Sequence, residues 1–354
     1  MIIKKKINNN YDFGKLGKFS SIIYPIHLTP LWIETLNKVY NNSRDSFFLE
    51  IYDHKLIGTL LLQRIEKRAT RFWSKRILVP FTNGPSDYFD LLVDNGYEKY
   101  VSEEISKWLR KNWYQWDQLI INLIPKKSKT WESLYDQFCV DGFNPQLNIG
   151  QSYYLIKTSG KWDDYFNSLN KNIKKEIQYY TNRLKRDGIN YEFSIQNNNI
   201  EENLDYLIEI YRKRRIETNQ TDQFTIDEKF LPFIKTIFNA YQEVGWINLS
   251  MLKTNNEIIS FSLDFVQNGI FYYYMPSFNE NFGKYAPGKL LLFEIIRYCF
   301  QKNDIFEFNF MRGMSEYKRS FNHEEEKFVT IIVENPNSIR NLATKLVTKV
   351  RKKN

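Results

Sequence analysis

The strongest constraint on the fold of this chain is a run of three short apolar segments. A predicted helix and another predicted strand follow them. The segments begin near Trp246, Ile258 and Ile270, and the turns between them carry Asn255-Asn256 and Asn268-Gly269. Such pairs favour tight hairpins, so this region predicts an antiparallel meander. Each half of the chain repeats this order in kind, with helices, antiparallel strands, a helix and returning strands, but without a residue-level repeat.

The helix after the meander is predicted to begin abruptly in the stretch "KYAPGKLLLFEII". Pro287 suits the first helical position, where its missing N–H costs nothing. Gly288 lets a ligand approach the backbone, and Lys289 adds a positive charge. The unpaired amides of a first helical turn favour anions, so this stretch predicts a small anion socket suited to a pyrophosphate.

The segment from Gly160 to Gly188 predicts one long amphipathic helix. Its apolar stripe consists of Trp162, Tyr165, Phe166, Leu169, Ile173, Ile177, Tyr180 and Leu184. Basic residues occupy the other faces, and both solvation and contact with an anion remain open for them.

Length and charge set the outer bounds. A chain of 354 residues with 42% hydrophobic content can bury two domain cores. Its sequence contains no apolar run long enough to span a bilayer and no secretory signal, so we expect a cytoplasmic protein. The net charge of +9 favours anionic partners, although richness in Lys, Asn and Ile is also typical of a codon bias toward A and T.

Several chemistries have no signal in the sequence. The three histidines have no neighbours at zinc-ligand spacing, and there is no CxxC pair. Neither a GxSxG elbow nor a GxxxxGK[ST] phosphate loop is present. We therefore expect no metal cofactor.

The stretches "YYYMPSFNENFGKYAPGKLLLFEII" and "FEFNFMRGMSEYKRSF" carry the next signal. They resemble the GNAT superfamily of N-acetyltransferases and, within it, the polysaccharide-associated CelD-like or Fem-related branch. The matching residues are Tyr285, Pro287, Gly288, Phe310, Arg312, Gly313, Tyr317 and Lys318. The chain departs from the family pattern at Ala286, where Ser is usual, and at Asn309, where Asp is usual. Arg214 also fits the pattern, whereas Tyr211 and Arg215 stand where His and Trp are common.

This resemblance implies an α/β (α+β) fold of two tandem GNAT-like domains, each a mixed, mainly antiparallel sheet flanked by helices. We expect a degenerate N-terminal domain over 1–155, an acyltransferase domain over 156–335 and a basic amphipathic helix over 336–354. The resemblance places acetyl-CoA or another acyl-CoA between two splayed strands, with its pyrophosphate on a helix N-terminus. The cofactor-binding residues it implies are Tyr285, Pro287, Gly288, Lys289 and Leu290.

Acyl transfer to an amine requires loss of an amine proton, stabilisation of an oxyanion and departure of a thiolate. The resemblance suggests that Tyr317 protonates the thiolate and that Lys318 binds phosphate or the oxyanion. Asp87 is the candidate carboxylate, and Asn309 can orient a substrate but cannot act as a base. The predicted substrate-binding residues are Tyr274, Arg312 and Arg214. Structural roles remain open, such as a packed tyrosine, a solvated lysine or, for Asp87, a turn-forming side chain.

The leading hypothesis is an acyl-CoA-dependent N-acyltransferase acting on an amino group of a sugar nucleotide or cell-surface glycan precursor. A Fem-type peptidyltransferase, which uses aminoacyl-tRNA and a peptidoglycan precursor, is the second. The third is a non-catalytic RNA- or partner-binding protein on the same scaffold. The basic tail would either pack on its own domain or lie on an anionic membrane face, and we expect no DNA partner.

Overall fold

The computed structural model describes residues 1–6, 11–21, 25–40, 45–69, 73–81, 85–219, 222–254, 257–313 and 315–342. Its strands are β1 (Ile2–Lys6), β2 (Asp45–Asp53), β3 (Lys55–Arg68), β4 (Ser74–Pro80), β5 (Leu92–Val93), β6 (Gln118–Pro125), β7 (Gln146–Lys157), β8 (Glu192–Gln196), β9 (Ile247–Lys253), β10 (Ile258–Gln267), β11 (Ile270–Phe278), β12 (Glu307–Arg312) and β13 (Glu324–Glu334). Its helices are α1 (Pro30–Tyr40), α2 (Glu98–Lys111), α3 (Thr130–Val140), α4 (Trp162–Ser168), α5 (Lys171–Arg186), α6 (Glu201–Glu217), α7 (Gln223–Ile226), α8 (Phe230–Glu243), α9 (Pro287–Gln301) and α10 (Glu316–Arg319).

The chain forms two compact units. The first unit contains Met1–Gln151 and the chain from Lys327 onward, and the second unit contains Ser152–Glu326. The sequence divided the chain at 155/156 and assigned everything up to 335 to the second domain. Most of β13 instead belongs to the first unit, because its residues from Phe328 onward pair with β6.

The first unit is built on the strand order β1-β2-β3-β4-β6-β13, with β5 attached to β3. Neighbouring strands are antiparallel except for the parallel pair β4 and β6. A buried ion pair anchors the segment that follows β13. The Asp117 carboxylate accepts hydrogen bonds from Arg76 at 2.8 and 3.0 Å and from the Ser338 hydroxyl at 2.7 Å.

The second unit follows the strand order β7-β12-β11-β10-β9-β8. The predicted meander is confirmed as β9, β10 and β11, which pair antiparallel in sequence order. At the β10–β11 turn, Asn268 and Gly269 adopt φ of +50° and +73°, as a tight hairpin with both central residues left-handed requires. The Asn255-Asn256 turn lies outside the described residues. Among the described strands of this unit, only β11 and β12 pair in parallel.

The prediction of one long helix between Gly160 and Gly188 is wrong in one respect, because the structure has two helices there, α4 and α5. The break falls at Leu169 and Asn170. Asn170 has extended backbone geometry, and its side chain accepts a hydrogen bond from the Asn172 amide at 2.9 Å, which starts a new helix. The predicted stripe still points inward, since Leu169, Ile173, Ile177 and Leu184 lie in the core beneath α9.

The predicted α/β (α+β) class is confirmed, since each unit has a mixed, mainly antiparallel sheet flanked by helices. Among the described residues, no helix combines the length and the hydropathy that crossing a membrane requires. The predicted tail helix falls mostly outside the described residues, which end at 342. Within its described part, Ile339 and Leu342 are exposed and Asn341 is buried.

Candidate active site

The parallel strands β11 and β12 separate partway along their length. Their ladder runs through three residue pairs, from Ile270–Glu307 to Tyr272–Asn309, and ends there. β11 nevertheless continues to Phe278. On β12, the register against β7 shifts between Asn309 and Met311, and Met311 has a φ of +62°. The splayed strands expected for an acyl-CoA site are therefore present in the second unit.

A bulge in β11 accompanies this separation. Leu263 of β10 pairs with Met275, whereas Phe265 pairs with Tyr272. Tyr273 and Tyr274 together therefore face the single residue Asp264. An extra residue of this kind bends its strand and re-aims side chains, and such bulges are frequent beside active sites.

A cavity of about 170 Å³ opens beside the free end of β11, at the N-terminus of α9. Its lining combines the end of a strand, a helix start and two side chains from other elements. The lining residues are Arg214, Pro276, Ser277, Phe278, Ala286, Gly288, Lys289 and Tyr317. The cavity lining thus brings together five residues that the sequence analysis placed in the motif or near the ligand. They are Arg214, Ala286, Gly288, Lys289 and Tyr317.

The start of α9 differs in detail from the predicted socket. Ala286 precedes the helix in the left-handed conformation, with φ +48° and ψ +50°. Its carbonyl accepts the amides of Lys289 at 3.0 Å and Leu290 at 3.2 Å. Among the described residues no hydrogen bond reaches the Gly288 amide, which leaves that N–H and the positive end of the helix dipole for a ligand.

Gly288 itself is not required by the packing of the fold. A Cβ placed there would approach only the Phe278 ring, at 3.4 Å, which is ordinary van der Waals contact. Since φ is also unexceptional at this position, a larger residue would fold but would project into the cavity region. The glycine is therefore best explained by the space that it leaves for a ligand.

Lys289 does not supply the free charge that the sequence suggested. Its ammonium is paired with the Glu176 carboxylate of α5, and the Lys289 side chain is only 17% exposed. A neutralised lysine contributes little net potential to an anion beside it. The other cation that lines the cavity, Arg214, has a carboxylate partner as well, Glu280, but at a longer distance.

Arg214 comes from the last turn of α6. Its guanidinium carbon lies 4.1 Å from the centroid of the Phe278 ring, a cation–π contact that holds the side chain against the end of β11. Its Nε is 3.3 Å from the Glu280 Oε1, but the two atoms are not aligned for a hydrogen bond. Within the described part of the chain, neither atom has another hydrogen-bond partner.

Tyr317 reaches the cavity from α10, and Tyr273 stands beside it. Burial raises the pKa of Tyr317 above the ordinary value for a phenol. Burial, with the Tyr317 phenol as the next contribution, raises the pKa of Tyr273 well above that value. Both phenols are therefore protonated at neutral pH, so Tyr317 can donate a proton but is unsuited to accept one.

Lys318 is buried, with 8% exposure, although the sequence left a solvated position open. Its ammonium donates to the Phe310 carbonyl at 3.3 Å and lies 5.2 Å from the centroid of the Tyr273 ring. The short helix α10 thus directs Tyr317 to the cavity and Lys318 beneath it.

Ser277 is a cavity residue that sequence reasoning missed. It is 3% exposed, and within the described chain its hydroxyl oxygen has no hydrogen-bond partner. Buried hydroxyls are seldom left unpaired, because an unmade hydrogen bond costs about 1–3 kcal/mol. The alternation of β11 was the available signal, since Ser277 shares a face with Tyr273 and Met275.

Three predicted residues lie away from the cavity lining. Tyr285 is buried and donates its hydroxyl to Asp187 at 2.7 Å, which ties the segment before α9 to the end of α5. Leu290 is 1% exposed in the apolar core. Tyr274 packs on Phe265, with ring centroids 4.8 Å apart, on the opposite face from its neighbour Tyr273. Their predicted contacts with cofactor or substrate stay predictions.

Asn309 is engaged within its own strand. Its amide nitrogen donates to Glu307 at 3.2 Å, and its oxygen accepts the Met311 amide at 2.9 Å. These bonds support the left-handed backbone at Met311, and the predicted role of Asn309 in orienting a substrate stays a prediction. Arg312 ends β12 opposite Tyr153, and Pro287 is buried at the helix start.

Asp87 belongs to the first unit, half-buried between Ser86 and Tyr88, and its predicted role as a carboxylate across a cleft stays a prediction. Among the described residues there is no cluster of three or more His, Cys, Asp or Glu side chains that could hold a metal ion.

The second unit thus has the features that the resemblance to GNAT acetyltransferases implies: parallel strands that part, a helix N-terminus beside β11 and a protonated tyrosine at the cavity. Residues 171–319, all within the second unit, match the family model for the acetyltransferase (GNAT) domain. The prediction of a GNAT-type N-acyltransferase is confirmed at this level. A search of curated proteins found no match.

Solved structures are similar to the whole chain. A crystal structure of FemX is 10% identical, with a TM-score of 0.61 over 92% of this chain and 96% of that one. L-PGS from Bacillus licheniformis is 13% identical, with a TM-score of 0.56 over 99% of each chain. A conserved protein of unknown function from Bacteroides thetaiotaomicron is 13% identical, with a TM-score of 0.59 over 94% of this chain and 100% of that one. At these identities the likeness shows the fold alone, a Fem-like double GNAT fold.

Proposed function

We propose that this protein is an acyl-CoA-dependent N-acyltransferase, most simply an N-acetyltransferase. The proposed acceptor is an amino group on a sugar nucleotide or cell-surface glycan precursor. The observation that carries the proposal is the cavity at the start of α9, which is lined by the part of β11 that extends beyond its ladder with β12. Its apolar walls suit a thioester arm, and Arg214 with the Gly288 amide suits the anionic part of the donor.

In the proposed reaction the acceptor nitrogen attacks the thioester carbonyl carbon, so a C–N bond forms and the C–S bond breaks. The thiolate leaves and takes the proton of the Tyr317 hydroxyl, which burial keeps protonated. The ammonium of Lys318 stabilises the negative charge that passes to Tyr317. The amine proton goes to solvent, and the phenol is then reprotonated.

A second candidate is transfer of an aminoacyl group from tRNA to a cell-envelope precursor. One observation favours it: Glu280 Oε1, beside Arg214, forms no hydrogen bond within the described chain. The α-ammonium of an aminoacyl donor would pair with this carboxylate, whereas an acetyl group offers nothing to it. The fold likeness to FemX and L-PGS is compatible with either donor.

We further propose that the first unit is a degenerate GNAT-like domain without a donor of its own. Contact of the tail with an anionic membrane, and a cytoplasmic location, stay predictions.

Thermal shift separates the candidates. Acetyl-CoA at a hundred times its dissociation constant should raise the unfolding free energy by about 2.7 kcal/mol. Gly288→Val should abolish this gain without unfolding the protein, because its side chain would enter the cavity. The matched control is Gly160→Val, where a Cβ has nothing within 4 Å.

Stabilisation by an aminoacyl-tRNA but not by acetyl-CoA would favour the second candidate. RNA binding with steep salt dependence and no acyl transfer would instead support the non-catalytic hypothesis. Retained stabilisation by acetyl-CoA in Gly288→Val would contradict the proposed donor site.

A further inference from the structure

The last described residues of the first unit form a helical turn that buries polar side chains and exposes apolar ones. Within 338–342, Ser338 and Asn341 are each 3% exposed, whereas Ile339 and Leu342 are 75% and 56% exposed. The Leu342 amide donates to the Ser338 carbonyl at 3.2 Å, as in a helix. A helix that packs on a core has the reverse arrangement. The apolar stripe predicted for the tail therefore begins on the outside of the first unit.

Hydrogen bonds to the fold fix this orientation. The Asn341 side chain donates to the Asp117 carbonyl at 2.6 Å, and the Ser338 hydroxyl donates to the Asp117 carboxylate at 2.7 Å. Just before the turn, the Asn335 side chain donates to the Trp113 carbonyl at 2.7 Å. Rotating the turn to bury its apolar side would break the first two bonds and leave buried polar groups unpaired, which is unfavourable.

The segment that accepts these bonds also exposes apolar side chains. Trp113 and Tyr114, which follow α2, are 42% and 55% exposed, and their ring centroids are 6.3 Å apart. Single exposed apolar residues are common on protein surfaces, but here four lie on two segments that are hydrogen-bonded to each other. Tyrosine and tryptophan favour the boundary between water and lipid, because an apolar ring and a polar group share one side chain.

The charges around this turn are positive. Residues 339–354 contain six Lys or Arg residues and no Asp or Glu. Two carboxylates beside the turn are paired: Asp117 is fully buried and bound by Arg76 at 2.8 Å, and Glu334 lies 3.5 Å from the ammonium of Lys75. The exposed apolar side chains are thus joined to a basic segment, a combination typical of helices that lie in a bilayer interface.

We propose that Trp113, Tyr114, Ile339 and Leu342 form a surface that docks the first unit on an anionic lipid bilayer, with the basic residues of 340–353 at the headgroups. A second copy of the chain would bring two basic segments together, and like charges oppose that contact. A nucleic acid would satisfy the charges but would give the aliphatic side chains no apolar environment. The bilayer interface provides both.

Vesicle binding by the full-length protein tests this surface. The protein should bind vesicles of phosphatidylcholine mixed with phosphatidylglycerol at least about tenfold more strongly than pure phosphatidylcholine, because each basic residue near an anionic surface contributes about fivefold. High salt should weaken this binding. Changing both Ile339→Ser and Leu342→Ser should lower the partition coefficient by about tenfold, since less apolar surface enters the interface. The matched control is Ile226→Ser, which alters a side chain of the second unit that is 66% exposed, and its binding should equal that of wild type.

Wild-type protein that ignores anionic vesicles would overturn the inference. So would salt-sensitive binding that survives in the double variant, because the basic residues alone would then explain it. A dimer that the double variant dissociates, without vesicle binding, would assign the surface to a second copy instead.

A variant in the other segment keeps the test decisive if the double variant does not fold. Tyr114→Ser changes a side chain outside the turn and should weaken vesicle binding by about threefold. Unchanged binding in that variant would contradict the proposed surface. Vesicle binding is measured without turnover, so failure of the proposed acyl transfer would leave this inference intact.

Discussion

Both units contain a short parallel ladder, β4 with β6 and β11 with β12, and among the described residues the second unit has a cavity beside its ladder. In the first unit β4 and β6 pair through Ile77–Gln118 and Leu78–Leu119. The segment after β4 then returns to β6, and the Phe89 amide donates to the Leu123 carbonyl at 3.0 Å. Phe89 is fully buried, so this segment packs against β6 beyond the ladder of β6 with β4.

The helices α2 and α9 differ in the charge of their first turns. α2 has an acidic residue, Glu98, in its first turn, whereas α9 has none and begins with Pro287 and Gly288. A carboxylate at a helix N-terminus neutralises the positive end of the dipole that an anionic ligand would use. The same strands and helix are therefore not sufficient for a donor-binding site. The space beside the strands must be unfilled, and the first turn of the helix must carry no carboxylate.

The two units also differ in the pKa of a fully buried carboxylate. Asp117 of the first unit is bound by Arg76, and although burial acts in the opposite direction, this partner lowers the pKa of Asp117 to about 2. Asp264 of the second unit has hydroxyl donors, and burial raises its pKa to about 7. The first carboxylate stabilises the fold at neutral pH, whereas the second destabilises it.

Opening the first unit is expected to have the largest effect. Phe89→Ala should lower the unfolding free energy by about 3–5 kcal/mol, because it removes a buried ring from a close-packed core. Denaturant unfolding measures this loss, with the partly exposed Tyr100→Ala as control. Calorimetry should still find one acetyl-CoA per chain; a second bound donor would mean that Phe89 alone kept the first unit empty.

Arg76→Ala breaks the ion pair between Arg76 and Asp117 in the first unit. We expect it to lower the unfolding free energy by about 3 kcal/mol, the lower end for a buried ion pair, because Ser338 still binds Asp117. The lowered pKa of Asp117 adds stability above its ordinary range, and this stability is lost as the pH falls toward 2. The difference between wild type and variant should thus be full at pH 6 and shrink below pH 4. A constant difference would show that packing, not charge, is responsible.

Neutralising the carboxylate of the second unit should have the opposite sign. Because its pKa is raised to about 7, Asp264 favours folding when protonated and loses that contribution as the pH rises through 7. Relative to wild type, Asp264→Asn should gain about 2–3 kcal/mol between pH 5 and pH 8, which corresponds to about two pH units of ionisation. Chemical unfolding at both pH values checks this, and equal differences at both would refute it.

Releasing Lys289 from Glu176 is expected to have the smallest effect. Glu176→Gln should strengthen binding of acetyl-CoA by at most about tenfold, because an unpaired ammonium at the start of α9 attracts its phosphates. Titration at low and high salt measures the gain, which should vanish at high salt. Weaker binding in Glu176→Gln would mean that the ion pair holds Lys289 in a productive position.

Local signals in the sequence were enough to predict where the cavity lies. Pro287 and Gly288 mark a helix start by their backbone chemistry alone, and the Asn268-Gly269 turn marks the hairpin before it. Sequence reasoning failed where the answer depended on distant partners. Lys289 is neutralised by Glu176, 113 positions earlier in the chain, and no spacing rule reports such a pair.

By itself, the sequence determined the order of strands and helices, the bend of the meander at its Asn-Gly turn and the place where α9 begins. These follow from backbone preferences that act over a few residues. Only the tertiary structure decided which gap stays open, which lysine is neutralised and which carboxylate is buried without an arginine. Those outcomes depend on burial and charge among residues far apart in the chain, since desolvation and ion pairing arise only once the cores have formed.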